Sequence, residues 1–175
     1  LLARTLGSNM LTCDPPVHTR LQEIMQPPFQ PGGRSGEFVS NELIGIADRL
    51  LDAVDPAGFD VMADYAQPLS AGALATVLGL DSYGFNRMWD WCEGLCTDLA
   101  NFENDPDLAA IGERTKADLG AVLAERIAKA GNDGSAISWF VQNGATTEEI
   151  VNNVRLMISG GINEPRDGIG LVAWL

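Results

Sequence analysis

Asn163 and Glu164 place an amide and a carboxylate side by side in the segment Ser159-Gly160-Gly161-Ile162-Asn163-Glu164-Pro165-Arg166-Asp167-Gly168. The flanks, Ile150 to Ile158 and Ile169 to Leu175, are mostly apolar. A carboxylate can hold and pass on a proton, and an amide can orient the water that carries it. Burying such groups unpaired costs about 2 kcal/mol or more each, so a polar cluster in an apolar helix implies groups waiting to meet it. At helical spacing Gly160, Glu164 and Gly168 share one face with Gly161 beside it, which lets a large flat body lie against the backbone. Pro165 has no N–H and leaves the carbonyl of Gly161 without its helical donor, predicting a local opening. The spacing therefore predicts a long helix, buried on most of its circumference, with a gap suited to a flat ligand and a small polar molecule. A kinked core helix whose polar groups pair with neighbours is the plainer alternative. A membrane span is a weak reading, because the cluster interrupts the run of about 20 apolar residues that a span requires.

His18 is the chain's only histidine. It follows Cys13-Asp14-Pro15-Pro16-Val17, which has the form of a helix start with Asp14 as N-cap and the prolines in the first turn. Gln22 shares its helix face, and Leu21, Ile24 and Met25 make a separate apolar stripe that Pro27-Pro28 ends. Cys13, Cys92 and Cys96 have no metal-ligand spacing. Cys92 and Cys96, at i and i+4 of one helix, sit too far apart for an unstrained disulfide, so all three read as reduced thiols of a cytoplasmic protein.

The elements that position these groups read as helices throughout. An amphipathic helix is expected from about Glu37 to Val54, with Phe38, Leu43, Ile46, Ala47, Leu50 and Leu51 inward, closed by Asp55-Pro56-Ala57-Gly58. Pro68-Leu69 leads into Ala71 to Leu78, which Gly79 stops. Asp81 or Ser82 is placed to cap the next helix, on which Phe85, Met88, Trp89, Cys92, Leu95, Cys96 and Leu99 follow a 3.6-residue period. Beyond the breaker Asn101 to Pro106 come helices over Asp107 to Ala130 and Ser135 to Gln142. Thr146 with Glu149 then forms a capping box for the last one. No strand pattern of comparable strength occurs, and the fold class is all-α.

The 175 residues suffice for one domain with a real core. A net charge of −13 repels phosphate, which excludes nucleic acid and anionic membrane as main partners. No basic segment followed by an apolar run opens the chain, so no signal peptide is visible. The abrupt start at Leu1-Leu2-Ala3 and stop at Val172-Ala173-Trp174-Leu175, inside an apolar helix, suggest a single partial domain, residues 1–175, of a longer protein.

Two stretches together resemble one family. Asp14-Pro15-Pro16-Val17-His18-Thr19-Arg20-Leu21 through Phe29-Gln30-Pro31 is similar to the D-P-P-x-H-T-R-x-R…F-T-P signature on the C helix of soluble bacterial cytochromes P450. About 140 residues on, Gly160-Gly161-Ile162-Asn163-Glu164-Pro165 stands where that family carries the I-helix motif [A/G]-G-x-[D/E]-T-T. Ala63-Asp64-Tyr65-Ala66-Gln67-Pro68-Leu69 and Leu78-Gly79-Leu80 between them also resemble the family's helices, so the likeness runs from roughly the C helix to the I helix. It implies the helical portion of the P450 fold, incomplete at both ends.

The resemblance implies a haem-thiolate monooxygenase that activates O2 and inserts one oxygen atom into a small organic substrate. Electrons would come from a ferredoxin or flavoprotein type of redox partner. It makes His18 a donor to a haem propionate, with Gln22 standing where the family often has a second, charged donor, an Arg; a neutral amide gives no charge-assisted pair. Gly160 and Gly161 would line the oxygen groove, and Glu164, with Asn163 positioning water, would replace the family's acid–alcohol pair in proton delivery. Arg20 and Arg34 are candidates for a partner-docking face, and Phe85, Met88, Trp89 and Asn101 to Pro106 fall at the F helix and F–G lid. The E-x-x-R pairing and the cysteine loop that supplies the axial thiolate of haem b are absent, so this stretch alone is expected to be inactive. The alternative reading is a haem-free α-helical ligand-binding or interaction module on the same scaffold.

Overall fold

The computed structural model describes residues 2–175, and every regular element among them is helical. Ten α-helices follow in order: α1 (Leu2–Leu6), α2 (Val17–Met25), α3 (Arg34–Phe38), α4 (Ile44–Ala53), α5 (Gln67–Leu78), α6 (Phe85–Leu99), α7 (Pro106–Ala128), α8 (Ala136–Gln142), α9 (Thr147–Gly161) and α10 (Asn163–Trp174). A π-helical turn, Val39–Leu43, joins α3 to α4, and a second, Val61–Ala66, runs straight into α5. The amphipathic helix expected from Glu37 thus begins three residues earlier. Only Phe38 of its predicted inward face is fully buried, and Leu51 is 47% exposed, because no described element covers that side of α4.

The central element is α5, whose apolar residues point in every direction and whose Ala71, Ala75 and Leu78 are all buried. Gly79 ends it in the left-handed region at φ +82°, donating to the carbonyls of Ala75 and Thr76. No other residue type fits there, since a Cβ would come within 2.6 Å of Ser135 Cβ. The Gly79 carbonyl accepts from Arg126 Nε at 2.9 Å, and Arg126 Nη2 reaches Ser135 Oγ, Ser138 Oγ and Asp133, fixing α7 and α8 to the end of α5.

Packed on α5 is α6, which buries Met88, Trp91, Cys92 and Leu95 against α7 and α9. Gly94 lets α7 approach so closely that a Cβ there would meet Thr115 Oγ1 at 2.0 Å. Asp98 of α6 is 1% exposed and is satisfied by Thr5 Oγ1 at 2.7 Å, Lys116 Nζ at 3.2 Å and Arg4 Nη2 at 3.1 Å, which ties α1, α6 and α7 together. The breaker between α6 and α7 is itself ordered: Asn101 exchanges hydrogen bonds with Asp105 at 2.7 and 2.8 Å, and Asp105 caps α7.

Three expected caps need comment. The capping box of Thr146 and Glu149 forms as the sequence implies. Asp14 does not cap α2 with its side chain; its backbone carbonyl accepts from His18 N–H, and the helix starts only at Val17. Asp81 and Ser82 do not cap α6 either, since a 3-10 turn, Asp81–Tyr83, and Gly84 intervene, and Phe85 is left 42% exposed. Among the described residues no helix is long and apolar enough to cross a membrane.

Candidate functional site

The final helix is two helices meeting at Ile162. That residue departs from helical geometry at φ −112° and ψ −49°, and α10 restarts at Asn163. Pro165 has no N–H to give the Gly161 carbonyl, and the departure from helical geometry lies at the next residue, Ile162. Ile162 is fully buried, and its carbonyl takes both the backbone N–H of Arg166 at 3.2 Å and the hydroxyl of Ser70, on α5, at 2.6 Å. Ser70, a lone hydroxyl in an apolar helix, props the joint from behind; only its isolation in the sequence could have signalled this.

The two sides of the joint differ. Ahead of it, Ile150, Val154 and Ile158 of α9 are completely buried. Beyond it no residue of α10 is buried, and Leu171, Val172 and Trp174 are 61, 75 and 86% exposed. The expectation of a helix enclosed on most of its circumference therefore holds for α9 and fails for α10, where the covering groups are not among the described residues. Gly160, Glu164 and Gly168 are all exposed, with nothing within 4 Å of a Cβ built at either glycine. Gly161 faces the other way, toward Leu74 of α5 at 3.3 Å.

On the α9 side, one turn ahead of Gly160, a groove of about 470 Å³ opens between α2 and α9. His18, Gln22, Gln26, Met25 and Phe29 line it from the α2 side, Leu156 and Met157 from α9, and Met10 and Leu11 from the segment before α2. Met25 forms part of the floor and is fully buried, while Gln22 is exposed and His18 is partly exposed. Thus residues 138 positions apart, His18 and Leu156, share one wall-to-wall space. Met10 and Leu11 were not legible as site residues. They are placed by α9: Asn153 Oδ1 accepts from Met10 N–H at 3.0 Å, and Asn152 Nδ2 donates to the Ser8 carbonyl at 3.1 Å. The signal available was the pair of buried amides in an apolar run.

Asn163 and Glu164 diverge. The amide Nδ2 of Asn163 points into α6, donating to Cys92 Sγ at 3.4 Å and Cys96 Sγ at 3.5 Å, whereas Glu164 is exposed on the open face. Cys92, donating toward Cys96 and fully buried, has its thiol pushed well up. The hydrogen bond from Cys92, aided by Asn163 and the Arg166 charge, brings Cys96 down to about 7 against the opposing effects of burial and Glu164. Arg166 stacks over the Trp89 ring at 4.8 Å and pairs with Asp167. Arg20 pairs with Glu149 and Arg34 with Glu42, so both arginines suggested for a docking face are engaged within the chain.

The groove and the open glycine face suit one side of a flat macrocycle: an apolar floor, a polar rim with a histidine, and a backbone free of side chains. None of the three cysteines lines the groove, and among the described residues no cluster of His, Cys, Asp and Glu could hold a metal.

Comparison with solved structures defines the class first. The fold superposes on that of CalO2 with a TM-score of 0.77 and 26% identity over 93% of this chain and 42% of the other. It superposes equally well on epothilone D-bound cytochrome P450epoK, with a TM-score of 0.78 over 98% of this chain. Among curated proteins, the monooxygenase PikC of Streptomyces venezuelae, named as a cytochrome P450, is 30% identical over 170 residues, 89% of this chain and 38% of that protein. Cytochrome P450 CYP107DY1 of Priestia megaterium is 35% identical over 88 residues, half of this chain and 21% of that protein. No family model matches. Over nearly its whole length the chain is similar in sequence and in fold to part of the bacterial cytochromes P450, and it spans about two fifths of the length of most of the curated relatives it matches.

Proposed function

We propose that residues 1–175 are a single partial domain of a haem-thiolate monooxygenase that inserts one oxygen atom of O2 into a small organic substrate. The observation that carries this reading is the shared groove. It brings His18 and Gln22 of α2 against Leu156 and Met157 of α9, one turn from the broken joint and its open glycine face. When bound, haem b would supply the oxygen-activating chemistry, its axial thiolate coming from outside this stretch.

The chain's own residues would then divide the work. His18 would donate to a propionate, and Gln22 would add a neutral hydrogen bond. Gly160 would keep the backbone low enough for O2 to sit beside it, while Gly161, expected to share that role, turns its free side to Leu74 of α5. The Glu164 carboxyl would hold a proton at the edge of that space and pass it inward. With its Nδ2 engaged by the two thiols, Asn163 would position a water through Oδ1. An electron-transfer protein of the ferredoxin or flavoprotein type would supply the electrons. The close likeness to named P450 relatives favours this over a haem-free helical module.

The test is the carbon monoxide difference spectrum of the reduced full-length protein, paired with Glu164→Gln. We expect a thiolate-type Soret band in both. The variant should lose product formation by about 10²-fold or more, the usual contribution of a positioned proton donor. No band in folded full-length protein would refute the haem assignment, and unimpaired turnover in Glu164→Gln would refute the role of Glu164.

A further inference from the structure

The first turn of α10 is held from two sides. From α5, the hydroxyl of the buried Ser70 donates to the Ile162 carbonyl at 2.6 Å. From α6, Cys92 and Cys96 take the Asn163 amide, and the Arg166 guanidinium lies over the Trp89 ring at 4.8 Å. Glu164 stands between Asn163 and Arg166 and is exposed. The Ser70 contact is the tighter of the two that the Ile162 carbonyl accepts. The Arg166 N–H, which opens the hydrogen-bond series of α10, lies 3.2 Å away, at the long end for such a bond, whereas the hydroxyl is at the short end of its own range. A serine inside a helix commonly donates back to the carbonyl four residues earlier; Ser70 instead leaves its helix for the carbonyl at which another one breaks. Packing alone would be met there by alanine, as it is at Ala71 and Ala75 of the same helix.

We propose that Ser70 is a positioning residue: by fixing the Ile162 carbonyl it sets the first turn of α10, and with it the place at which Glu164 holds its proton. The inference rests on the reading of Glu164 as the proton donor. Ser70 touches no substrate and transfers no proton, since its hydroxyl hydrogen stays committed to the carbonyl. Pro165 gives no N–H to Gly161, so the joint lacks one bond of its own and takes this one from α5. Without the hydroxyl the Ile162 carbonyl is free to swing toward the Arg166 N–H. The carboxylate two residues on is then presented over a range of positions instead of one.

The test compares full-length Ser70→Ala, Ser70→Thr, Glu164→Ala and the Ser70→Ala, Glu164→Ala double variant with the unaltered protein, by two readouts. The first is deuterium exchange of the peptide carrying residues 162–167. Ser70→Ala should exchange about fivefold faster there, the equivalent of one ordinary hydrogen bond, with the peptides of α7 and α8 unchanged. Ser70→Thr keeps the hydroxyl, and its added methyl has beside it a hollow of about 190 Å³ lined by Ser70, Leu74, Gly161 and Pro165, so it should stay within about twofold of the unaltered protein. The second readout is the infrared band of carbon monoxide on the reduced protein, which responds to nearby charge and dipoles without substrate or turnover. Glu164→Ala should move the band, Ser70→Ala should broaden or split it, and the double variant should match Glu164→Ala alone. Unchanged exchange in Ser70→Ala, exchange raised equally by alanine and threonine, or an unaltered band in Ser70→Ala would overturn the role of Ser70 and leave Glu164 standing. A band that Glu164→Ala does not move would overturn the reading of Glu164 itself, and the positioning role with it.

Discussion

Helices α9 and α10 read alike in sequence and differ in structure. Both carry apolar runs, yet Ile150, Val154 and Ile158 of α9 are enclosed by α6, α7 and α8, while Leu171, Val172 and Trp174 of α10 stand open. Apolarity states that a face must be covered; it does not state whether the cover lies in the same stretch of chain. The candidate site falls on the boundary between the two regimes, so its groups have one rigid side and one open side.

The closed side should break most severely at Asp98. Its carboxylate sits beneath Lys116, Thr5 and Arg4, and Asp98→Ala leaves Lys116, only 10% exposed, with the exposed Glu113 at 2.7 Å as its remaining partner. We expect a loss of about 3–5 kcal/mol in urea unfolding of the full-length protein, the usual cost of breaking a buried pair from one side. A loss under about 1 kcal/mol would mean that the pair is effectively solvated.

A smaller effect contrasts two glycines. Gly94→Ala drives a methyl into Thr115, where Cβ to Cβ would be 2.9 Å, and should destabilise the protein by about 2 kcal/mol despite the better helix propensity of alanine. Gly160→Ala meets nothing within 4 Å and should leave the haem-free protein unchanged or up to about 1 kcal/mol more stable. Paired thermal melts check both. If the two substitutions shift Tm alike, the closed and open halves are not distinct.

Much of this was legible before the structure. The helical periods of Met88, Cys92 and Leu95, the capping box at Thr146 and the stop at Gly79 are local signals, and each sits where the spacing puts it. What failed depended on distant chain. The hydroxyl of Ser70 on the Ile162 carbonyl comes from 92 residues earlier, which no local pattern could announce. Asn163 meets two thiols on α6, and Met10 and Leu11 line the groove where Asn153 holds the Met10 N–H and Asn9 the Leu11 N–H. Asp14 and Asp81 lost their expected capping roles to backbone turns next to them, a competition that residue type alone does not decide.

The measurement closest to the central claim is haem occupancy of full-length Gly160→Leu, read from the Soret absorbance per protein alongside far-UV circular dichroism. Within this chain a Cβ at Gly160 meets nothing within 4 Å, and the circular dichroism checks that the larger side chain leaves the helices folded. If the α2–α9 groove and the glycine face hold the macrocycle, the leucine occupies its place, and the protein should come out helical but largely without haem. Full occupancy with an unshifted Soret band would contradict the account, because the haem would then lie somewhere other than against this face.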